Sequence, residues 1–236
     1  MAAPRRRTPK VVPDAPPGSG WLFDEHTAAR SRQDRAPAAK TPGEIILVLD
    51  VSLLGVRPRV WRRIEVPDTI TFFDLHVALQ DVMGWCDGHL HEFEVPDHRS
   101  GEPLRIGLPG NDAFDDDMKV EWKVPLRTHL RRVKDAVSYR YDFGDNWEHT
   151  IKLVAVKPCE PGLYPRCTGG ARACPPEDCG GPWGYAEFLR AIADPAHEEH
   201  DSMLEWCGGG FDPATFEPRT VHFTKNPQAR LQESMS

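Results

Sequence analysis

The sequence predicts an α+β fold: a largely antiparallel sheet of hairpins with helices packed on one face, in a single domain. Three observations carry this expectation. Short β-branched or aromatic runs with period-two alternation recur at residues 45–51, 60–66, 89–95, 139–143 and 147–153. Apolar residues at helical spacing are clearest at residues 71–85, 182–192 and 197–207. The strands come in neighbouring pairs with helices after them, rather than in the strand–helix–strand alternation that builds parallel sheets.

Residues 1–42 are rich in Pro, Ala and Arg and poor in large apolar side chains, Trp21-Leu22-Phe23 excepted, so they read as a disordered basic leader. The α+β domain is expected over 43–224. Residues 45–51 (IILVLDV) suit a strand buried on both faces. In residues 60–66 (VWRRIEV), Val60, Arg62, Ile64 and Val66 share one face, Trp61, Arg63 and Glu65 the other, and the two runs make a hairpin. Phe72, Leu75, Leu79 and Val82 form one stripe of a helix, with Thr71 and Asp74 set as a capping pair and Gly84 loosening its end. Residues 89–95 (HLHEFEV) place His89, His91, Phe93 and Val95 on one side of a strand. Residues 97–118 read as loop, and 120–137 as a short strand followed by an amphipathic helix around Leu126, Leu130 and Val133. Tyr139, Tyr141 and Phe143 lead into a Gly144-Asp145-Asn146 turn, where Gly and Asn accept positive φ, and Trp147, His149, Ile151 and Leu153 share parity on the return strand. A Pro/Gly-rich loop then carries four cysteines. Two helices follow, the first with Pro182 in its opening turn, the second stopped by Gly208-Gly209-Gly210; residues 225–236 read as a flexible tail.

Composition narrows the function classes. No apolar run approaches the roughly 20 residues that cross a bilayer. The N-terminus, MAAPRRRTPK, lacks the apolar core of a secretory signal, so no membrane partner and a cytoplasmic address are expected. Residues 1–42 carry eight Lys/Arg against four Asp/Glu, while the whole chain is −7, so the body is strongly acidic. An acidic body repels phosphate backbones, which leaves the basic leader as the route to nucleic acid.

Two constellations stand out. Cys159, Cys167, Cys174 and Cys179 follow the spacing C-x7-C-x6-C-x4-C, which is not the paired C-x2-C knuckle. Four thiolates suit zinc, with His149 or another histidine as a further ligand; buried thiols or a redox pair fit the same spacing. Asp142, Asp145, Trp147 and His149, with His89 and His91 from another strand, would place imidazoles and carboxylates around one cleft able to bind metal or exchange protons. The bland alternative has Asp145 bonding within its turn, Trp147 filling the core, and the histidines packing at a sheet edge. His197-Glu198-Glu199-His200 lacks the H-E-x-x-H spacing and reads as an acidic helix start. Asp115-Asp116-Asp117 reads as a solvated turn, and Arg59, Arg62 and Arg63 around Trp61 as pairing with surface acids.

Six phrases, VRPRVWRRIEVP, the helix ending in GW, HLHEFEV, YDFGDNWEH, YPRCTGGARACPPEDCGGPWGYAEFL and DPAHEEHDSMLEWCGGGFDP, occur in an order that resembles the plasmid pRi open-reading-frame-three-like family over about residues 43–220. The resemblance implies a compact α+β domain and matches the family phrase most firmly at Cys167 and Cys174. Some members carry resolvase-like labels, but a recombinase needs a nucleophilic Ser or Tyr on a basic DNA-facing surface, which this acidic domain does not offer. The leading expectation is a binding or scaffold domain, zinc-stabilised through its Cys loop, that engages a protein partner with its hairpin-and-loop side. The alternatives are a metal-dependent hydrolase or nuclease using the His/Asp cluster, and a DNA-transaction accessory of a mobile element.

Overall fold

The structure is a computed structural model, and it describes residues 45–97, 100–109 and 117–234. The basic leader and Asp115-Asp116 lie outside the described residues. The elements are β1 (Ile45–Leu53), β2 (Trp61–Pro67), α1 (Phe72–Met83), β3 (His91–Val95), β4 (Leu104–Gly107), β5 (Lys119–Val120), β6 (Ala136–Tyr141), β7 (Trp147–Pro158), β8 (Arg166–Ala171), α2 (Gly181–Ala193), α3 (His200–Trp206) and α4 (Pro227–Ser234). The strands join in one sheet of order β5-β4-β3-β6-β7-β1-β2-β8. Every pairing is antiparallel except β4 with β5. No described helix is long and apolar enough to cross a membrane.

Strand parity decides what each face carries. Register places Leu49 opposite Ile64 and Leu153, and Tyr139 opposite Phe93 and His149, so one face is continuously apolar or aromatic. Onto it α1 lays Phe72, Leu75, Leu79 and Val82, and α2 lays Tyr185 and Phe188. The opposite face is held by ion pairs. Glu92 sits between Arg105 and Arg140, Glu65 between Lys157 and Arg166, and Asp50 against Arg63. Burial works against ionisation of Glu65 and Glu92, but these bonded cations win and hold both carboxyls below their ordinary range. A groove of about 590 Å³ beside Glu94, Ser138 and Thr150 lies on this ion-paired side, not at the histidines.

Helix α1 is bounded as its sequence predicts. Thr71 Oγ1 accepts from the Asp74 N–H, Asp74 Oδ2 accepts from the Thr71 N–H at 2.8 Å, and Gly84 closes the helix at φ 82. Of the three arginines around Trp61, Arg63 pairs with Asp50 as expected, whereas Arg59 donates to the Ser52 hydroxyl. Arg62 does neither. It is buried, donates to the carbonyls of Val82, Trp61 and Ala171, and lies flat on the Phe216 ring at 3.6 Å. Gly170 permits that approach, since a Cβ there would sit 2.3 Å from the Phe216 ring.

Several sequence expectations need correction. Residues 120–137 contain no α-helix: Leu126 and Leu130 are buried, but Val133 is exposed. Main-chain bonds tie this segment to the start of α1, and Asp135 Oδ2 accepts from the N–H groups of Arg131 and Arg132, a local closure that displaces helical bonding. Residues 97–118 were expected as loop, yet β4 forms there, too short to show more than the Leu104/Ile106 pair, and β8 forms inside the cysteine loop without apolar alternation. The second late helix begins at His200 rather than His197, because the Glu199 N–H is taken by His197 Nδ1. The flexible tail expected over 225–236 is instead α4 through Ser234, anchored where Leu231 packs against Phe73 and Val77.

The α1 cap yields a direct test. Thr71→Ala removes the hydroxyl acceptor and is expected to lower the unfolding free energy by about 1 kcal/mol. Thr71→Ser is expected to stay near wild type, both read from urea midpoints.

Candidate functional site

The β6–β7 turn and the cysteine loop meet at one end of the sheet. Asp142 takes positive φ (55), as does Asn146 (54); Gly144, expected to supply it, does not. Asp142 tolerates the strain because its Oδ1 accepts from the Gly144 N–H at 2.9 Å. Asp145 reaches out of the turn, and its Oδ2 accepts from the Gly180 N–H at 3.0 Å. Glu177 ties the loop down, accepting from the Tyr141 hydroxyl at 2.5 Å and from the Cys86 N–H at 2.8 Å. Asp178 is thereby brought to His89: its Oδ1 lies 3.1 Å from His89 Nε2, and Asp142 Oδ2 lies 3.8 Å from the same nitrogen. One ligating atom of each of these three residues falls within 4.8 Å of the others, at a solvent-facing mouth.

His91, two residues deeper along the chain, leaves that mouth. Its ring stacks on His76 of α1 at 3.4 Å and 5°. His91 Nε2 meets Glu121 Oε2 at 2.7 Å; His76 Nε2 meets Asp87 Oδ1 at 2.7 Å, and its Nδ1 meets the Tyr139 hydroxyl at 2.9 Å. Gln80 Nε2 donates to that hydroxyl, so the phenol proton points at His76 Nδ1 and His76 carries its own proton on Nε2, toward Asp87. Burial, then the neighbouring His91, lowers the His76 pKa and keeps it neutral. Burial opposes ionisation of Asp87, but the His76 bond and nearby cations hold its pKa low. His76, Asp87 and His91 form the second group of three potential metal ligands among the described residues.

The remaining predicted residues stand apart from both groups. Trp147 is core, its ring tilted 34° against that of Trp85 at 5.9 Å. His149 is buried, and neither ring nitrogen has a hydrogen-bond partner; burial outweighs the favourable influence of the Trp147 and Tyr139 main chain beside it. Cys159, Cys167, Cys174 and Cys179 are all free thiols, and neither three-ligand group contains a sulfur. The Cys159 thiol faces the Glu160 carbonyl and the Cys167 thiol the Gly169 carbonyl. Burial pushes Cys174 and Cys179 up to about 12, so both stay protonated. Sequence reasoning missed His76, Asp87, Glu121, Glu177 and Asp178. His76 and Gln80 carried a readable signal, polar residues four apart on a helix surface that its apolar neighbours bury; Glu121 carried none.

The geometry therefore defines an α+β domain with an open His–Asp–Asp group at its turn end and a buried His–His–carboxylate group behind it. The chain belongs to the plasmid pRiA4b ORF-3-like family, whose model matches residues 45–220. An uncharacterized protein, y4hQ of Sinorhizobium fredii, is 43% identical over 167 residues, covering 69% of this chain and 81% of that protein. The crystal structure of MM3350, a protein of unknown function from Methanosarcina mazei Go1, is similar at TM-score 0.70 and 42% identity, covering 76% of this chain and 99% of that one.

His149, apart from both groups, gives the fold a pH signature. Burial lowers its pKa from 6.5 to about 4. Above pH 6.5 the ring is neutral in both folded and unfolded chains. Between about pH 6.5 and 4 the unfolded chain binds a proton that the folded one refuses, so about 3 kcal/mol of stability is lost across that window. His149→Leu is expected to flatten the acid limb by roughly that amount, measured from urea midpoints near pH 7 and near pH 4.5.

Proposed function

We propose that the protein is a binding domain that takes a basic protein segment at the mouth formed by the β6–β7 turn, the cysteine loop and His89. The observation that carries this reading is the arrival of Asp178 from the loop beside His89 and Asp142, which makes one acidic face from three distant stretches of chain. Glu177 and Asp145 add carboxylates to the same loops. Exposed apolar groups sit on these segments too: Leu90 next to His89, Phe143 next to Asp142, and Trp183 in the first turn of α2, with Trp183 77% exposed. Phe143 already carries Arg140 at 4.8 Å, but the carboxylates and the exposed Trp183 ring suit a lysine- or arginine-bearing segment, through ion pairing and cation–π contact.

A labelled Lys/Arg-rich peptide is expected to bind, and its Glu-rich counterpart to fail. Asp142→Asn with Asp178→Asn is expected to weaken binding about tenfold, and Trp183→Ala several-fold, with affinity falling as salt rises. Deleting residues 1–42 should change nothing. Equal affinity for both peptides, or an unaffected double variant, would remove this reading. A second reading, a metal-dependent hydrolase or nuclease, is favoured by the mutual proximity of the His89, Asp142 and Asp178 ligand atoms. Mn²⁺-dependent cleavage of a phosphodiester probe, lost in Asp142→Asn, would put it in first place.

A further inference from the structure

We infer that His76, Asp87 and His91 form a site for a first-row divalent transition metal, separate from the mouth at His89. One ligating atom from each lies within 4.8 Å of the other two. Two imidazoles and one carboxylate are a donor set suited to Zn²⁺, Fe²⁺ or Co²⁺, whereas Mg²⁺ and Ca²⁺ favour oxygen throughout.

The far edges of both rings are held as those of metal-bound imidazoles are. His76 Nδ1 meets the Tyr139 hydroxyl, and His91 Nε2 meets the Glu121 carboxylate. A ligating imidazole directs its other nitrogen to such a partner, which fixes its orientation and raises its basicity. His76 is then left with Nε2 for the metal, and His91 with Nδ1. Charge points the same way. Glu121 is fully buried, and its Oε1 has no hydrogen-bond partner. The stacked histidine pair leaves that carboxyl oxygen without a partner, while a dication on the far side of His91 would offset a charge buried there.

Loading requires two movements, a large one of the rings and a small one of Asp87. An imidazole ligates in its own plane, so rings now 5° from parallel must fan open. His76 Nε2 and Asp87 Oδ1, 2.7 Å apart, must separate to about 3.4 Å for tetrahedral bonds near 2.1 Å. Asp87 has the freedom for this: it lies on the link between α1 and β3, its side chain is 23% exposed, and its second oxygen faces Arg230 of α4 at 3.8 Å. Binding also moves the His76 proton from Nε2 to Nδ1, where the Tyr139 oxygen accepts it once the phenol proton has rotated away from the ring.

The test uses the full chain, stripped with EDTA and titrated with Co²⁺, and it does not depend on peptide binding. One equivalent of Co²⁺ is expected, with visible d–d absorption and two contact-shifted imidazole N–H protons in the proton NMR spectrum. Asp87→Asn and His91→Gln should lose the absorption while keeping the far-UV circular dichroism of the folded chain. Glu121→Gln should keep the band and weaken affinity about tenfold or more. Asp178→Asn at the mouth should leave it unchanged. A wild-type chain that takes up no Co²⁺ or shows no shifted imidazole protons overturns the assignment. So does a folded Asp87→Asn with the wild-type band, or loss of the band in Asp178→Asn.

Discussion

The turn end of this molecule depends on the carboxylate of Glu177. The loop around it buries Pro175 and packs Cys174 and Cys179 against the core, which holds it down without fixing its direction. Glu177 fixes it by bonding two elements at once, the sheet through the Tyr141 hydroxyl and the exit of α1 through the Cys86 amide. Charge-assisted bonds to one group are stronger than neutral ones and specify direction as well as distance. The Trp85 indole, donating to the Pro175 carbonyl at 2.9 Å, adds a third attachment. Close approach completes the fit: at Gly181, with φ 69, a Cβ would lie 2.3 Å from the Asp145 carbonyl oxygen. Only with the loop seated this way does Asp178 face His89.

Two histidines on one short stretch serve two different environments. A step of two residues along an extended chain is roughly 7 Å. His89 precedes β3 and stays at the surface, while His91, within the strand, is carried under α1. Between these levels stand Tyr141 and Trp85, stacked at 5.0 Å, with His89 meeting Tyr141 edge-on. The sheet thus divides an exposed acidic mouth from a dry imidazole pair using aromatic rings alone.

Much of the frame was legible in the sequence. The α1 stripe, its Thr71–Asp74 box and Gly84 were, and so were the β1–β2 and β6–β7 hairpins, because each is specified by local periodicity and local hydrogen bonding. The edges of the sheet were not. In β8, RCTGGA owes its strand to pairing with β2 and to glycine at the Phe216 contact, and neither leaves an alternating pattern. The Leu126–Leu130 spacing mimicked a helix although the segment is closed by Asp135. Of the candidate site, His89 with Asp142 and the inward His91 were visible as polar residues on strand faces. Their partners come from other elements, His76 from the preceding helix and Glu121 and Asp178 from farther along the chain, and only the tertiary arrangement brings them in.

Arg62 shows what kind of cation a protein interior can use. Its donors point along the edge of a plane toward three carbonyls, while the plane itself rests on the Phe216 ring. Shape, not charge, is what that position selects. An ammonium group would bring the same sign with no flat surface for the ring and no fixed directions for the oxygens, so lysine is a foreign residue there despite its chemical kinship. The stretch around Phe216, which has almost no regular structure of its own, takes its order from the rigidity of a neighbouring side chain.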